Sequence, residues 1–374
     1  MKIESTENKA FLSEQIITYI GNKRLLLGQI EDEVRKIADE LGKEKLVCAD
    51  LFSGSGIVAR MLKSHSSKLI VNDLENYSKI ISTCYLSNKK DYPEGECEEI
   101  RKNIIADCEK NKIPGIITQN YAPKNDNDIK PGERVFYTHE NALLIDTYRN
   151  LIDKYLPEPQ NELRKFFLAP LITEASIHVN TSGVFKGFYK DKNTGIGCFG
   201  ASGKNALTRI LGKIELKAPV FSNFDSELIV FQKDAVELSK SNELPALDLA
   251  YLDPPYNQHP YGSNYFMLNL ILKNKIDVEI SNVSGITQDW KRSQFNKAAA
   301  ALSSLEEIVA NLKSKYIIIS YNSEGFIGFE EMKNMLEKYG TLQTSAINYN
   351  TFRGSRNLSA RNIHVSEYLF ILKK

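Results

Sequence analysis

Short apolar runs recur along the chain, each closed by polar or turn-forming residues, with helically spaced apolar positions between them. The runs at 45–52, 68–73, 227–232, 246–252 and 315–321 are too short for core helices and read as buried strands. Leu26, Leu27, Ile30, Val34, Ile37 and Leu41 form one helical stripe within 14–42. Helices are also expected near 57–64, 75–86, 94–112, 140–156, 163–175, 295–312 and 330–339, with two last strands near 341–348 and 364–373. Strands alternating with helices point to the α/β class and a sheet of about seven mostly parallel strands. The strand pattern lapses in the middle of the chain. Residues 1–85 and 226–374 therefore read as one discontinuous domain, and 86–225 as an insertion into it.

The strand ends carry the chemistry. The first strand runs into Ser53-Gly54-Ser55-Gly56 and then a helix, a unit in which missing side chains let a ligand approach the backbone. No glycine sits three residues after Gly56, so the dinucleotide fingerprint is absent, which argues against NAD. The second strand ends in Asn72-Asp73, 17 residues after Gly56 (73 − 56), where a carboxylate can accept both hydroxyls of a ribose. Asp234 sits at another strand tip. The run ending Tyr251-Leu252-Asp253-Pro254-Pro255-Tyr256 leaves the sheet at Asp253, because two prolines cannot continue a ladder. Asp253 and the carbonyls around Pro254 offer acceptors to an amino group, and the Tyr256 ring offers a face to a flat base. Taken alone, the same residues also read as a strand followed by an Asp-Pro turn. Four strand ends, at Phe52, Asp73, Asp234 and Asp253, can converge on one crevice at the carboxyl edge of the sheet. Gly21-Asn22 reads as a turn opening the first helix, with Lys23 beside its exposed N–H groups, a place that attracts a carboxylate. An ordinary helix start with a solvated lysine fits that stretch too.

Composition narrows the setting. The 374 residues, 42% hydrophobic and 25% charged, suit one large or two ordinary globular domains with a real core. No run of about 18 apolar residues exists, so no membrane span is expected. The five cysteines, odd in number, show no metal-ligand spacing, which suggests a reduced, intracellular protein without structural zinc. A net charge of +1 makes no global case for nucleic acid. Locally the case is better. From 176 to 217, seven basic residues (Lys186, Lys190, Lys192, Lys204, Arg209, Lys213, Lys217) face only Asp191 and Glu215, a local charge of +5 (7 − 2). Glycines and aromatics interleave with Lys186 and Lys190, as phosphate contact and base stacking require. Arg353, Arg356 and Arg361 crowd the loop before the last strand and fit phosphate or guanine contacts. Solvated loops with scattered charge are the plainer reading of both stretches.

In order along the chain, residues 19–23, 50–56, Asn72-Asp73 and 253–256, with a long insertion before the last, resemble the Dam-type (alpha-group) adenine-specific DNA methyltransferases. The run from Asp253 through Asn257 to Tyr265 is closer to the FokI-type modification enzymes. The resemblance covers both sheet-forming parts and, within 86–225, only 179–190. It implies a Rossmann-like methyltransferase sheet with a C-terminal antiparallel hairpin and an inserted DNA target-recognition domain. It implies S-adenosyl-L-methionine as cofactor, with Tyr19, where Dam-type enzymes often carry tryptophan, packing against it and Lys23 at its methionine end. Phe52, Gly54 and Gly56 would line its loop, Asp73 would hold the ribose, Asp234 the adenine, and Asp253 would serve both cofactor and target. Double-stranded DNA would be the partner, met by Lys186, Lys190, Arg353 and Arg356. A monomer acting beside a separate restriction endonuclease, in the cytoplasm of a prokaryotic or phage-infected cell, completes what the resemblance implies.

Adenine N6 is a poor nucleophile because its lone pair is delocalised into the ring. Hydrogen bonds to Asp253 and to the Pro254 carbonyl would favour a pyramidal nitrogen, and Tyr256 would stack on a base flipped out of the duplex. No metal is needed, and no cysteine is placed as a nucleophile for ring-carbon methylation. Cytosine N4, RNA or a protein amide remain open as targets of the same motif, as does a non-catalytic nucleic-acid-binding protein on this fold.

Overall fold

A computed structural model describes residues 6–157, 161–200, 204, 206–350 and 364–374. Its strands are β1 (Leu46–Asp50), β2 (Ser66–Asn72), β3 (Glu227–Phe231), β4 (Leu247–Leu252), β5 (Ser314–Asn322), β6 (Thr341–Asn350) and β7 (His364–Lys373). They form one seven-stranded sheet in the order β3-β2-β1-β4-β5-β7-β6. β1 to β5 are parallel, while β7 lies antiparallel between β5 and β6. The expected sheet of mostly parallel strands with a C-terminal antiparallel pair is what the chain forms. From β1 the chain steps outward through β2 and β3. From β4 it steps the other way through β5. The loops after β1 and β4 therefore part company, and such a switch point leaves a crevice at the carboxyl edge.

The central strands β1, β4 and β5 are largely apolar because both faces of the sheet are covered there. Cys48, Leu69, Val71, Leu249, Tyr251, Ile318 and Ile371 enter one core, and their neighbours Ala49, Ile70, Ala250, Leu252, Ile317 and Phe370 enter the other. Helices Ala235–Lys240, Ala298–Asn311 and Phe329–Leu336 cover the second face. The first is covered by Leu27–Glu40, Ile57–Lys63, Asn76–Tyr85 and Phe266–Lys273, together with Glu94–Lys110, His139–Tyr155 and Lys165–Ile177 from the middle of the chain. The helices of 86–225 thus share a hydrophobic core with the sheet. Among the described residues no helix is long and apolar enough to cross a membrane.

Among the described residues a short helix, Lys9–Ser13, comes first, and the helix of the apolar stripe starts later than that stripe suggests. Gly21 turns the chain with φ +73°, Asn22 Oδ1 accepts from the Arg24 N–H (2.8 Å), a 3-10 turn spans Lys23–Leu26, and the α-helix begins at Leu27. The segment before it is clamped from below by Arg60, which is buried and stacks on the Tyr85 ring at 4.3 Å. Its guanidinium donates to the carbonyls of Phe11 (2.6 Å), Glu14 (2.9 Å) and Gln15 (2.8 Å), which sets the path of the chain toward Tyr19. Arg60→Met should lower the unfolding free energy by about 3 kcal/mol, because three carbonyls lose a charged donor. Urea denaturation reads this out, and an unmoved midpoint would remove the clamp from the account.

Candidate active site

One carboxylate and two glycines shape the loop after β1. Gly54 (φ +50°) and Gly56 (φ +77°) are left-handed, and a Cβ on Gly54 would meet the Tyr19 ring at 2.7 Å. Asp73 Oδ2 accepts from the Gly54 N–H (2.8 Å) and Oδ1 from the Glu75 N–H (2.9 Å), so the tip of β2 holds the loop of β1. Asn72 extends this tie to β3. Its Nδ2 donates to the Leu51 and Lys233 carbonyls (3.1 Å each), and its Oδ1 accepts from the Lys233 N–H (3.0 Å). Asp234 caps helix Ala235–Lys240 through Oδ1, which accepts from the N–H groups of Val236 (2.9 Å) and Glu237 (3.4 Å). Burial raises the carboxyls of Asp50 and Asp73 above their ordinary range, and burial with the Asp73 charge pushes Glu75 up to about 7.

At the end of β4, Asp253 meets the first turn of the chain. The Lys23 Nζ lies 2.9 Å from Asp253 Oδ1 and 3.0 Å from Glu367 Oε1, and donates to the Gly21 carbonyl at 3.2 Å. Lys23 and Glu367 are fully buried, and the Asp253 side chain is 20% exposed. Burial alone would lower the ammonium pKa, but the two carboxylates hold it well above the usual lysine value. Burial pushes Asp253 up to about 6, with Lys23 pulling it down and Glu367 pushing it further up. The Tyr256 ring stands beyond Lys23, its centroid 5.9 Å from Nζ, with its hydroxyl close over Gly21.

Tyrosines join these halves. Tyr19 stacks against both Tyr261 (5.0 Å) and Tyr265 (4.7 Å), each at 17°. The Tyr265 hydroxyl accepts from the Ile20 N–H (2.7 Å) and donates to the Gly183 carbonyl (3.4 Å), while the Phe185 N–H donates to the Asn264 carbonyl (2.8 Å). The 183–186 segment of the insertion is thus fastened to the same wall.

Tyr19, Lys23, Phe52, Gly54, Asp73, Asp234 and Asp253 all line one cleft of about 840 Å³ at the switch point. Gly56 stands just behind it at the N-cap of helix Ile57–Lys63, and Pro254 is buried beneath the Asp253 turn. The Lys23 ammonium is committed to protein carboxylates rather than left open for an incoming one. Lys186 Nζ approaches His259 Nδ1 at 3.4 Å, and Lys190 lies over the Phe188 ring at 5.1 Å. Arg353, Arg356 and Arg361 lie outside the described residues. Two of the seven basic residues of 176–217 have internal tasks: Arg209 holds the carbonyls of Ile177, Val179 and Thr181, and Lys217 pairs with Glu174 at 2.9 Å. Asp50, Glu75 and Glu367 were not singled out by sequence reasoning. Glu367 had a signal, since it is a lone acid at the head of the apolar run from Tyr368 to Leu372.

A family model described as D12 class N6 adenine-specific DNA methyltransferase matches residues 19–335. The chain is 32% identical over 366 residues to the type II methyltransferase M.CviAII of Paramecium bursaria Chlorella virus 1, covering 95% of this chain and 98% of that protein. It is 28% identical over 370 residues to M.NlaIII of Neisseria lactamica, covering 96% and 99%. To M.FokI of Planomicrobium okeanokoites it is 26% identical over 367 residues, covering 95% of this chain and 52% of that protein. The resemblance read from the strand-end motifs is borne out, and it removes cytosine N4, RNA and protein amides as competing targets.

Gly54→Ala should weaken cofactor binding about tenfold, the equivalent of roughly 1.4 kcal/mol of backbone strain and displaced Tyr19. Isothermal titration of the variant checks it; unchanged affinity would mean that the loop tolerates a Cβ.

Proposed function

Because the chain belongs to the D12 class of N6 adenine-specific DNA methyltransferases, a family that implies S-adenosylmethionine as methyl donor, we propose that the switch-point cleft performs the transfer to an adenine flipped out of duplex DNA. What carries this reading is that Asp73, Asp234 and Asp253, from three strand ends, line a single cleft with the glycine loop.

The residues suit that cofactor. Gly54 has no Cβ, which keeps the loop backbone approachable. Asp73 presents a buried carboxylate beside the loop for ribose hydroxyls, Asp234 has Oδ2 for the adenine amino group, and Phe52 offers its ring. Asp50 and the Gly21–Lys23 turn lie toward Asp253 and would meet the methionine end. When bound, S-adenosylmethionine supplies a methyl carbon made electrophilic by its sulfonium.

Asp253 would accept a hydrogen bond from one N6 hydrogen of the target and the Pro254 carbonyl from the other, freeing the nitrogen lone pair and aligning it. Such positioning lowers a barrier by about 5 kcal/mol. As the new nitrogen–carbon bond forms and the carbon–sulfur bond breaks, one N6 proton would leave by way of Asp253 to solvent. Tyr256 would stack on the extruded base. Unstacking costs about 2–4 kcal/mol. Phosphate contacts from Lys186, Lys190, Arg353 and Arg356 would offset it. We assign 86–225 to target recognition and the rest of the chain to catalysis. We further assign the protein to the modification side of a restriction-modification system, a cytoplasmic monomer on DNA beside a separately acting endonuclease. The type II methyltransferase relatives support that setting.

Labelled methyl transfer to duplex DNA tests the reading. Wild type should label adenine N6, and Asp253→Ala should lose about a hundredfold to a thousandfold in turnover while still binding DNA. Near-normal turnover in the variant would overturn the role of Asp253. Only the ionised carboxylate accepts both the Lys23 and the N6 hydrogens, so kcat/KM should be flat above pH 6 and fall as pH drops through about 6. A profile with no acid limb in that range would separate Asp253 ionisation from catalysis.

A further inference from the structure

The Lys23 ammonium has three protons and three acceptors: Asp253 Oδ1 at 2.9 Å, Glu367 Oε1 at 3.0 Å and the Gly21 carbonyl at 3.2 Å. Two ion pairs and one hydrogen bond hold the ammonium in place between the tip of β4 and β7. Glu367 is itself fixed. It is 1% exposed, its Oε1 accepts from the Ser320 hydroxyl (2.7 Å), and its Oε2 accepts from the Asn322 amide (3.2 Å). It sits opposite Asn322 in the β5–β7 register, at the last residue of β5. Among the described residues nothing donates to Asp253 Oδ2.

Two carboxylates around one ammonium are unusual in a buried site, since the set carries a net negative charge that the interior does not favour. A single carboxylate would satisfy Lys23. With Asp253 as its sole anionic partner, the ammonium would sit between both Asp253 oxygens and draw their electron density to itself. The second carboxylate holds Lys23 to one side.

We propose that Glu367 is a positioning residue for methyl transfer: by anchoring Lys23 at Asp253 Oδ1, it keeps Oδ2 available and electron-rich for the target amino group. This rests on Asp253 being the acceptor of that amino group. Glu367 touches neither substrate nor cofactor in this account. It acts through Lys23 and through its charge.

The charge has a readable consequence. Asp253 is faced by Lys23 from the first turn, Asp50 from β1, Tyr251 from β4, Tyr261 from the segment after the motif, and Glu367 from β7. Glu367 is the anion that most raises its proton affinity, after burial itself. Removing that charge must lower the affinity, so the acid limb of the rate profile moves to lower pH.

Glu367→Gln keeps the shape and can still accept from Ser320. Methyl incorporation into duplex DNA, followed across pH, should show kcat down about tenfold to a hundredfold, as for loss of an orienting partner behind a reactive group. KM for S-adenosylmethionine and for DNA should stay within about threefold, because no ground-state contact is removed. The acid limb of kcat/KM should shift down by about one pH unit, the size expected for a neighbouring like charge. Ser320→Ala, which loosens Glu367 without touching any charge, should lower kcat by a smaller factor and leave the acid limb in place. A Glu367→Gln enzyme with wild-type kcat, or with an unmoved acid limb, overturns the proposal. So does a general loss in which both KM values rise and the melting temperature falls, since that is a structural role. Asp253→Asn run alongside separates the two levels. If it retains turnover, the reading of Asp253 fails; if it is inactive while Glu367→Gln is normal, only this inference fails.

Discussion

A buried ammonium held between two carboxylates is the constraint from which the site follows. Taking three ions out of water is costly, and without Lys23 the two carboxylates would lie buried with no countercharge, a loss of about 3–5 kcal/mol. The first turn of the chain, the tip of β4 and the head of β7 must therefore arrive together. The sheet makes that possible through its one reversal. Because β7 runs antiparallel to β5, its beginning lies at the carboxyl edge, and Glu367 comes level with Asn322 at the end of β5. A parallel strand in that slot would bring its other end to the site.

Much of this frame was legible because each strand ends in a chemically distinct residue. Apolar runs closed by Asp50-Leu51-Phe52, Asn72-Asp73 and Asp253-Pro254-Pro255 announce both the strand and its tip, and a parallel sheet gathers such tips at one edge. Partnership was not legible. Gly21-Asn22-Lys23-Arg24 reads locally as a solvated helix start, and only two carboxylates from distant strands make Lys23 worth burying. Glu367 was passed over for the matching reason, since a strand pattern does not reveal which strand will lie beside it. Counting charge over 176–217 had the same blind spot. Arg209 and Lys217 add to the sum yet serve the fold, one gathering three carbonyls and the other neutralising buried Glu174.

The middle of the chain was the least readable part, for a physical reason. Its helices do not build a core of their own: Ile104, Ile145, Phe167 and Ile172 enter the same cluster as Leu69, Leu249 and Ile318 of the sheet. Apolar positions that answer to a neighbouring domain surface show a helical period without showing where that surface is. The consequence reaches the site. Gly183 and Phe185 bond to Tyr265 and Asn264, and Tyr265 in turn holds Ile20 and stacks on Tyr19. The segment proposed to meet DNA and the wall proposed to meet the cofactor are consecutive links of one rigid chain of contacts.

Charge balance explains what such a wall is suited to hold. Asp50, Asp73, Glu75, Asp234 and Asp253 line the cleft, against Lys23, Lys233 and Lys291. Two of those lysines are already answered, Lys23 by Asp253 and Glu367, and Lys233 by Glu243. The surplus is negative, and burial raises the proton affinity of Asp50, Asp73, Glu75 and Asp253, with neighbouring acids adding to it at Asp50, Glu75 and Asp253. A cation entering the cleft relieves that strain by favouring the ionised carboxylates. An amino acid ammonium and a sulfonium are two such charges, and methyl transfer converts the sulfonium to a neutral thioether. The same acids would hold the spent donor less tightly than the loaded one, which eases its release but also stabilises the cationic ground state that methyl transfer must discharge.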